Sequence, residues 1–445
     1  MQTSNITQES VSKLFFRYLI PSICGTLVTS IYVLADSIII GKGIGTDALA
    51  ALNIVLPLFN IFFGCGLLFG VGGSVLMSIE RGSQNYKKGE LYYTIALLLN
   101  LITCIIATLL MLKFMVPIVT FLGATEVTMP YILDYAPYVI IGMICFSFSS
   151  FFQTFIRNDG APKLSMIAVI IGGILNIILD IIFVYPLNMG MKGAAIASVI
   201  GALTTVSILL LHFVSKSNGL HLRLKGFAMK DIVSIIQNGF TSFFVEIAAG
   251  VVMFIFNIQI LKYMGNTGVG LYSVITNTAI IVTCLCNGIN QAAQPLLSVN
   301  YGAGLVERVE KVKALGIKIA FIVCSVIAVV GMITPDLFTY IFIHPTKEIL
   351  AMSQQAIRIY FSGFFVMGIT MFIIGYFQAT LKPLLSLALC LARGCVFCII
   401  FVYVLPPLIG DIGIWMAMPL AELLTLIIGV ICIKKVVATH SQEIK

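Results

Sequence analysis

Long apolar stretches follow one another along almost the whole chain and are separated by short polar segments. A helix needs roughly 20 apolar residues to cross a hydrocarbon core of about 30 Å, and these stretches reach that length. The pattern therefore predicts twelve transmembrane helices. Their expected ranges are Leu14–Ile40, Leu49–Glu80, Leu91–Val116, Met129–Ile156, Leu164–Tyr185, Gly193–Val214, Ile232–Leu261, Val269–Val299, Val309–Ile333, Ala356–Ala379, Leu384–Leu405 and Ile412–Ile433.

The composition is that of a chain that folds in lipid. Of the 445 residues, 60% are hydrophobic and 10% are charged, and the mean hydropathy is +1.08. A protein in water could not cover so much apolar surface, so we expect an all-α polytopic membrane protein. The first apolar stretch is longer than a signal-peptide core and follows a polar segment, so we expect it to be retained.

The net charge of +8 would also suit a protein that binds nucleic acid, but the positions of the basic residues argue against that. If both termini are cytoplasmic, nineteen Lys and Arg residues lie inside and only five lie outside. Such a bias is typical of topology in a cell membrane. We expect a multi-pass protein of the cell membrane and no nucleic-acid partner. The five outside are Lys42, Lys113, Lys192, Lys262 and Lys347.

The chain repeats itself after about half its length. A shift of 221 positions places Pro162 on Pro383, and a shift of 220 places Gly82 on Gly302. Equivalent points are six spans apart, so the halves have the same orientation and are related by an axis along the membrane normal. Two such lobes enclose a central cleft, which favours a transporter over a channel.

The repeat predicts two pseudo-symmetric six-helix lobes. The amino-terminal lobe comprises residues 1–217, and the carboxy-terminal lobe comprises residues 218–445. The joining segment, about Ser215 to Lys230, contains four basic residues and an Asn-Gly pair, so we expect a solvated cytoplasmic linker.

Three polar residues stand out within apolar spans of the amino-terminal lobe, where a charge at mid-helix costs on the order of 2.5–3.5 kcal/mol. Asp36 lies in the first span, and Asn176 and Asp180 lie in the fifth. The four-residue spacing puts Asn176 and Asp180 on one helix face. Ser198 in the sixth span could add a hydroxyl ligand.

The second half of the chain lacks these ionisable groups. At a shift of 221, Asp36 corresponds to Asn257, and Asn176 and Asp180 correspond to Phe397 and Phe401. A purely structural role should tend to preserve the groups in both halves, so we interpret the cluster as a coupling site that binds Na⁺ or H⁺. The alternative is that Asp36 reaches the membrane interface and Asn176 makes an ordinary bond between helices.

The carboxy-terminal lobe carries different polar groups. Glu246 and Arg393 could form an ion pair that stabilises the lobe, or Glu246 could contact a cationic substrate. The eighth span carries a polar stripe that could line the cleft, although hydrogen bonds between helices would explain it equally well. The stripe comprises Asn287, Asn290, Gln291 and Gln294.

Pro21 removes a backbone hydrogen bond within the first span, where a hinge and a static kink are the two interpretations. The run Gly41-x-Gly43-x-Gly45 lacks the strand and the remaining pattern of a nucleotide site, and neither a Walker motif nor a Ser/His/Asp arrangement occurs. We therefore expect neither ATP-driven transport by this chain alone nor enzymatic activity, and we expect no cofactor and no obligate protein partner.

Taken in order, several short motifs resemble the multidrug and toxic compound extrusion (MATE) family, in its MepA-like bacterial branch. They are Pro21 with Ala35-Asp36-Ser37 and Gly41, Arg81-Gly82, Arg157-Asn158-Asp159-Gly160-Ala161-Pro162, Asn176-x-x-x-Asp180, Gly193-Ala194-Ala195-x-Ala197 and Asn300-Tyr301-Gly302-Ala303-Gly304.

The resemblance implies a twelve-helix antiporter of two lobes that exports organic, often cationic, drugs in exchange for Na⁺ or H⁺. It also implies cation coupling at Asp36, Asn176 and Asp180, with Ser198 at a hydroxyl position. Glu246 is similar to the acidic residue of one branch that places a cation site in the carboxy-terminal lobe, but the tenth span has no carboxylate to complete that site.

A lipid-linked oligosaccharide flippase of the same superfamily is the alternative function. It would need a cleft rich in Arg and Lys to hold a pyrophosphate, and only Arg393, with Arg358 as a second candidate, could serve here. A secondary exporter of small organic cations is therefore the function that the sequence favours.

Overall fold

The computed structural model describes residues 6–342, 345 and 347–443, and the regular structure in these residues is helical. The helices are Val11–Gly43, Thr46–Gly82, Tyr86–Lys113, Met115–Phe121, Met129–Asn158, Pro162–Val184, Gly190–Leu210, Met229–Gly302, Val306–Ile333, Pro335–Phe342, Lys347–Ser362, Phe364–Ala379, Pro383–Leu391, Phe397–Ile409 and Asp411–Glu443.

Twelve helical spans in the described residues are long and apolar enough to cross a membrane, which confirms the predicted all-α, twelve-span fold. We number them 1 to 12 in chain order: Val11–Gly43, Thr46–Gly82, Tyr86–Lys113, Met129–Asn158, Pro162–Val184, Gly190–Val214, Met229–Gly265, Thr267–Gly302, Val306–Ile333, Ile349–Ala379, Pro383–Ile409 and Asp411–Lys435.

Many spans are longer than their apolar stretches alone indicate. Thr46–Gly82 has 37 residues and is about 55 Å long, so it extends well beyond a hydrocarbon core. Spans 7 and 8 follow each other without a loop, because the chain turns at Gly265, whose φ of 62° favours a residue without a Cβ. Span 10 begins before the predicted Ala356 and is interrupted at Gly363, between two helices.

The chain forms two compact units. The first comprises the chain up to Ile247 together with Gln294–Val309, and the second comprises Ala248–Ala293 and Glu310–Lys445. The beginning of span 7 and the end of span 8 therefore pack with the first six spans. The predicted lobe boundary at residue 217 stays a prediction.

Helix packing in the first unit is built on small residues. Span 4 packs against spans 2 and 6, and span 5 packs against spans 1 and 6. A Cβ atom added at Gly70 would lie 3.1 Å from the Phe151 backbone, so spans 2 and 4 touch at the main chain. Around this contact the rings of Tyr93, Phe151 and Phe155 form a buried aromatic cluster.

The second unit has its own apolar core, in which aromatic side chains predominate. Phe256 stacks on Tyr272 with ring centroids 5.5 Å apart, and Tyr272 also contacts Trp415. Phe361 is fully buried and packs against Phe338 and Phe364.

The repeat-related glycines Gly82 and Gly302 bring spans 2 and 8 into backbone contact within the first unit. A Cβ atom at Gly82 would collide with the carbonyl oxygen of Val299, and one at Gly302 would collide with that of Ile79. The same pattern recurs between spans 2 and 7, where a Cβ at Gly239 would collide with the Leu68 carbonyl. These contacts require glycine.

Two repeat-related cations bind the first turn of span 7 and the segment before span 1. Lys88, at the start of span 3, forms an ion pair with the buried Asp231 at 2.7 Å. Arg308, 220 positions later, donates to the backbone carbonyl oxygens of Ile6 and Glu9, both at 2.7 Å. Each cation therefore binds at or just before the start of the first span of a predicted lobe.

We predict that Gly82→Ala destabilises the protein, because the new methyl group must push apart the backbones of spans 2 and 8. Overpacking of this kind typically costs about 1–3 kcal/mol. Gly25→Ala is the matched control, since a Cβ there meets nothing within 4 Å and the residue also lies in a helix. The measurement is the midpoint of thermal unfolding in detergent. Equal midpoints for the two variants would contradict the assigned contact.

Candidate functional site

The predicted polar residues of the amino-terminal half come together where spans 1, 5 and 6 pack. A Cβ at Gly173 would make an ordinary contact with the Tyr32 ring at 3.4 Å, whereas one at Gly201 would lie only 2.8 Å from the Asn176 Cβ, so this second approach requires glycine. Spans 1 and 5 meet at the first contact, and spans 5 and 6 meet at the second. The polar side chains of all three spans can therefore face one small space.

Asn176 is at the centre of the hydrogen bonds in this space. Its side-chain amide donates to Asp180 Oδ2 at 3.0 Å and to Ser198 Oγ at 3.4 Å. The carboxyl groups of Asp36 and Asp180 lie within side-chain hydrogen-bonding reach of each other. Asp180 is fully buried and Asn176 is 3% exposed. We call Asp36, Asn176, Asp180 and Ser198 the acidic cluster.

The acidic cluster contains three buried oxygens that no described group satisfies. They are the Oδ1 atoms of Asp36, Asn176 and Asp180. A buried oxygen without a partner is unfavourable, and two adjacent carboxylates repel each other in a medium of low dielectric constant. A proton shared by the two carboxyl groups would relieve their repulsion, and a hard cation held by all three oxygens would satisfy those oxygens as well. The residues present therefore fit a small monovalent cation.

Tyr135 of span 4 adds a group that the sequence did not reveal. Its side chain is completely buried, and its hydroxyl lies close to Asp36, Asp180 and Ser198. Among the described residues that hydroxyl makes no hydrogen bond. A tyrosine in an apolar span is ordinary, so no signal in the sequence distinguishes this one from the aromatic core.

Most of the predicted stripe of span 8 has polar partners of its own. Asn290 donates to the Met371 carbonyl of span 10 at 3.1 Å, and Gln294 donates to Ser74 of span 2 at 3.4 Å. Gln291 also has a polar partner, and Asn287 is half-buried. Asn290 and Gln294 thus make bonds between helices, and the role of the stripe in a substrate cleft stays a prediction.

Arg393 pairs with a carboxylate that the sequence analysis overlooked. Its Nε donates to Glu422 of span 12 at 2.6 Å, so the Glu246–Arg393 pair considered above is replaced by a pair with Glu422. Glu422 is fully buried and also accepts a hydrogen bond from Thr370 of span 10. Arg393 lies in a π-helical turn, Ala392–Val396, an irregularity that is frequent at functional sites.

Glu246 differs from Glu422 because it has no such partner. It is half-buried in span 7, and within the described part of the chain its carboxylate makes neither an ion pair nor a hydrogen bond. Its Cβ lies near Gly64 of span 2, at 3.7 Å from where a Cβ would stand. A partly accessible carboxylate in an apolar span can attract a cation.

Pro21 is buried in span 1, whose helix continues through it from Val11 to Gly43. The hinge assigned to Pro21 stays a prediction. In the described residues, no group of three or more His, Cys, Asp or Glu side chains could hold a metal ion, and the acidic cluster, with one amide and one hydroxyl, is a different kind of oxygen site.

Comparison with known proteins gives a consistent result. The MatE family model matches residues 21–182 and 241–404, two segments that begin 220 residues apart as the internal repeat does. Multidrug export protein MepA of Staphylococcus saprophyticus is 26% identical over 436 residues, covering 93% of this chain and 92% of that protein. MepA of Staphylococcus aureus is 26% identical over 431 residues, with the same coverage.

Solved structures share the fold. A multidrug resistance MATE family transporter of the MOP superfamily, in an outward-facing conformation, matches with a TM-score of 0.92 at 23% identity, covering 99% of both chains. A MATE protein in complex with MaL6 matches with a TM-score of 0.93 at 22% identity, covering 99% of this chain and 100% of the other. These likenesses confirm the predicted twelve-helix fold of two lobes.

We predict that Glu422→Gln is strongly destabilising, because it leaves the Arg393 guanidinium without its carboxylate inside the second unit. Loss of one partner of a buried ion pair typically costs about 3–5 kcal/mol. The double variant Arg393→Met with Glu422→Leu should regain most of the stability, since apolar pairs of similar volume often replace buried ion pairs at little cost. Thermal unfolding in detergent measures both. A double variant as unstable as Glu422→Gln would refute the pairing.

Proposed function

The chain belongs to the MatE family, and on that premise we propose that it is a secondary active multidrug exporter. It expels small organic compounds, often cationic, in exchange for Na⁺ or H⁺. The observation that carries this proposal is the acidic cluster, with its three buried oxygens that have no partner in the described residues. The two staphylococcal relatives, which are multidrug export proteins, support the direction and the substrate class.

The acidic cluster is suited to an ion and not to a drug. Asp180 and Asn176 are buried and touch each other, and Gly201 allows spans 5 and 6 to pack closely. A dehydrated Na⁺ or a proton can enter such a space, whereas an organic molecule cannot. The substrate must therefore bind elsewhere, and Glu246 is the half-buried carboxylate available to attract its positive charge.

Coupling between the ion and the drug follows from the free-energy cost of keeping Asp36 and Asp180 charged when no cation is bound. Uptake of an external cation neutralises the repulsion between Asp36 and Asp180 and draws spans 1 and 5 together, which favours release of the drug to the outside. Release of the cation to the cytoplasm restores the affinity for the drug, and the two lobes alternate in access. One charge that crosses a potential of 100 mV contributes about 2.3 kcal/mol, before any ion gradient is added.

The orientation that fits this proposal places both termini in the cytoplasm and the chain in the cell membrane. The bias of basic residues supports it, because Lys88 and Arg308 then lie on the inner side together with the linker between spans 6 and 7. The flippase alternative is weakened, since Arg393, its main candidate for binding pyrophosphate, is already paired with Glu422.

We predict that Asp36→Asn and Asp180→Asn each abolish transport driven by an ion gradient, because each removes a charge that the cation must neutralise. The measurement uses purified protein in liposomes loaded with a fluorescent cationic dye, with a Na⁺ jump and a pH jump applied separately. Asp134→Asn is the matched control: this carboxylate is also in a span but is exposed, outside the cluster. Wild-type ion dependence in either cluster variant would overturn the site, and dye movement that responds to neither jump in the unmodified protein would overturn antiport.

A further inference from the structure

The linker between spans 6 and 7 exposes large apolar side chains next to basic ones. Five apolar side chains in and beside it are between 51% and 87% exposed: Val214, Leu222, Leu224, Phe227 and Met229. Lys216, Arg223, Lys225 and Lys230 alternate with them. A linker surrounded by water would not present such a patch, so the expectation of a simple solvated connection is incomplete.

The middle of the linker is held to the first unit by a buried network of hydrogen bonds. The Asp159 carboxylate accepts the Gly219 backbone N–H at 2.9 Å, and Arg81 donates to the Gly219 carbonyl oxygen at 2.5 Å. Arg81 also forms an ion pair with Asp159, to which His212 bonds at 2.6 Å. This buried network lies entirely within the first unit and fixes the middle of the linker.

Two further contacts fix the direction of the chain beyond Gly219. Leu220 is buried in the apolar cluster that contains Tyr93, and the Arg223 backbone N–H donates to Thr94 Oγ1 at 2.8 Å. Thr94 lies eight residues after the start of span 3, which is about 12 Å along the helix. The linker thus runs along the side of span 3, where the predicted apolar stretch of that span begins at Leu91.

The exposed linker side chains continue the exposed apolar surface of the neighbouring spans. Leu211 at the end of span 6 and Val233 at the start of span 7 are both exposed apolar residues, and Val214 and Met229 extend this surface into the linker from its two ends. An apolar strip bordered by Lys and Arg matches the boundary between acyl chains and negatively charged headgroups.

We propose that residues 214–230 form a lipid-binding surface that takes anionic phospholipid from the adjoining leaflet. Leu222, Leu224 and Phe227 insert among the acyl chains, and Arg223 and Lys225 bind the headgroup phosphates. The surface is separate from the acidic cluster and does not depend on what the protein transports.

Fluorescence quenching tests the insertion directly. The chain has a single tryptophan, Trp415, so Trp415→Phe gives a silent background into which Leu222→Trp is introduced. In vesicles whose lipids carry brominated acyl chains, this reporter should be quenched severalfold more than Ser83→Trp, an exposed residue in the loop between spans 2 and 3. Leu109→Trp, on the exposed apolar face of span 3, gives the reference for full contact with lipid. Quenching equal to that of Ser83→Trp would refute the insertion and leave water or a soluble partner on this face.

The lipid composition of the vesicles tests whether the basic side chains of the linker bind anionic headgroups. In phosphatidylcholine vesicles with and without phosphatidylglycerol, the Leu222→Trp reporter should be quenched more when the anionic lipid is the brominated species. Adding Arg223→Gln and Lys225→Gln should remove that preference, whereas Lys87→Gln and Lys163→Gln, which remove two exposed charges on the same predicted side, should leave it intact. Loss of the preference in both pairs, or in neither, would refute specific headgroup binding by the linker.

Discussion

Repulsion between the carboxylate of Asp180, which is fully buried, and that of Asp36, which is half-buried, is the central constraint in this lipid-embedded helix bundle. Asp36 and Asp180 face each other from spans 1 and 5, and the amide of Asn176 satisfies only one of their oxygens. A fold that merely needed these spans to pack would use apolar residues, which cost nothing to bury. We propose that a proton or a small cation binds here and relieves this repulsion. An ion gradient could then change how often these two side chains are neutralised.

The second unit contains a buried carboxylate, that of Glu422, whose charge is neutralised by other residues of the protein. Glu422 is buried as completely as Asp180, yet it has Arg393 and Thr370 as partners. Its charge is balanced by the protein, so it has no need of an external ion. The two halves thus share helix order and repeat-related glycines such as Gly82 and Gly302. Their buried polar groups differ, because the acid in the second unit has protein partners whereas oxygens of the acidic cluster have none among the described residues.

The sequence predicted local features well and long-range pairing poorly. Apolar runs of about 20 residues located the twelve spans, because lipid leaves the backbone few alternatives to a helix. The spacing of Asn176 and Asp180 placed both on one face, because helix geometry fixes that relation. Whether Asp36 would meet them depended on how spans 1 and 5 pack, which the glycines of span 5 allow but do not specify.

Residues that depend on a partner far along the chain were missed or assigned to another partner. Glu422 is the one acidic residue in the predicted range Ile412–Ile433, but its pairing with Arg393 across 29 positions has no periodic signature. In the sequence, Tyr135 looks like any other aromatic residue of the core. The exposure of the apolar linker side chains depends on the contacts that hold Gly219 and Arg223, which are distant in sequence and leave no local pattern.

Cation binding by the purified protein, measured without any drug or gradient, tests the central claim most directly. Equilibrium binding of radioactive Na⁺, and proton uptake recorded when Na⁺ is absent, should both be compared between the unmodified protein and the double variant Asp36→Asn with Asp180→Asn. The account predicts that the unmodified protein binds one of the two ions and that the double variant, correctly folded by its unfolding midpoint, binds neither at that site. Unchanged binding in the double variant would contradict it.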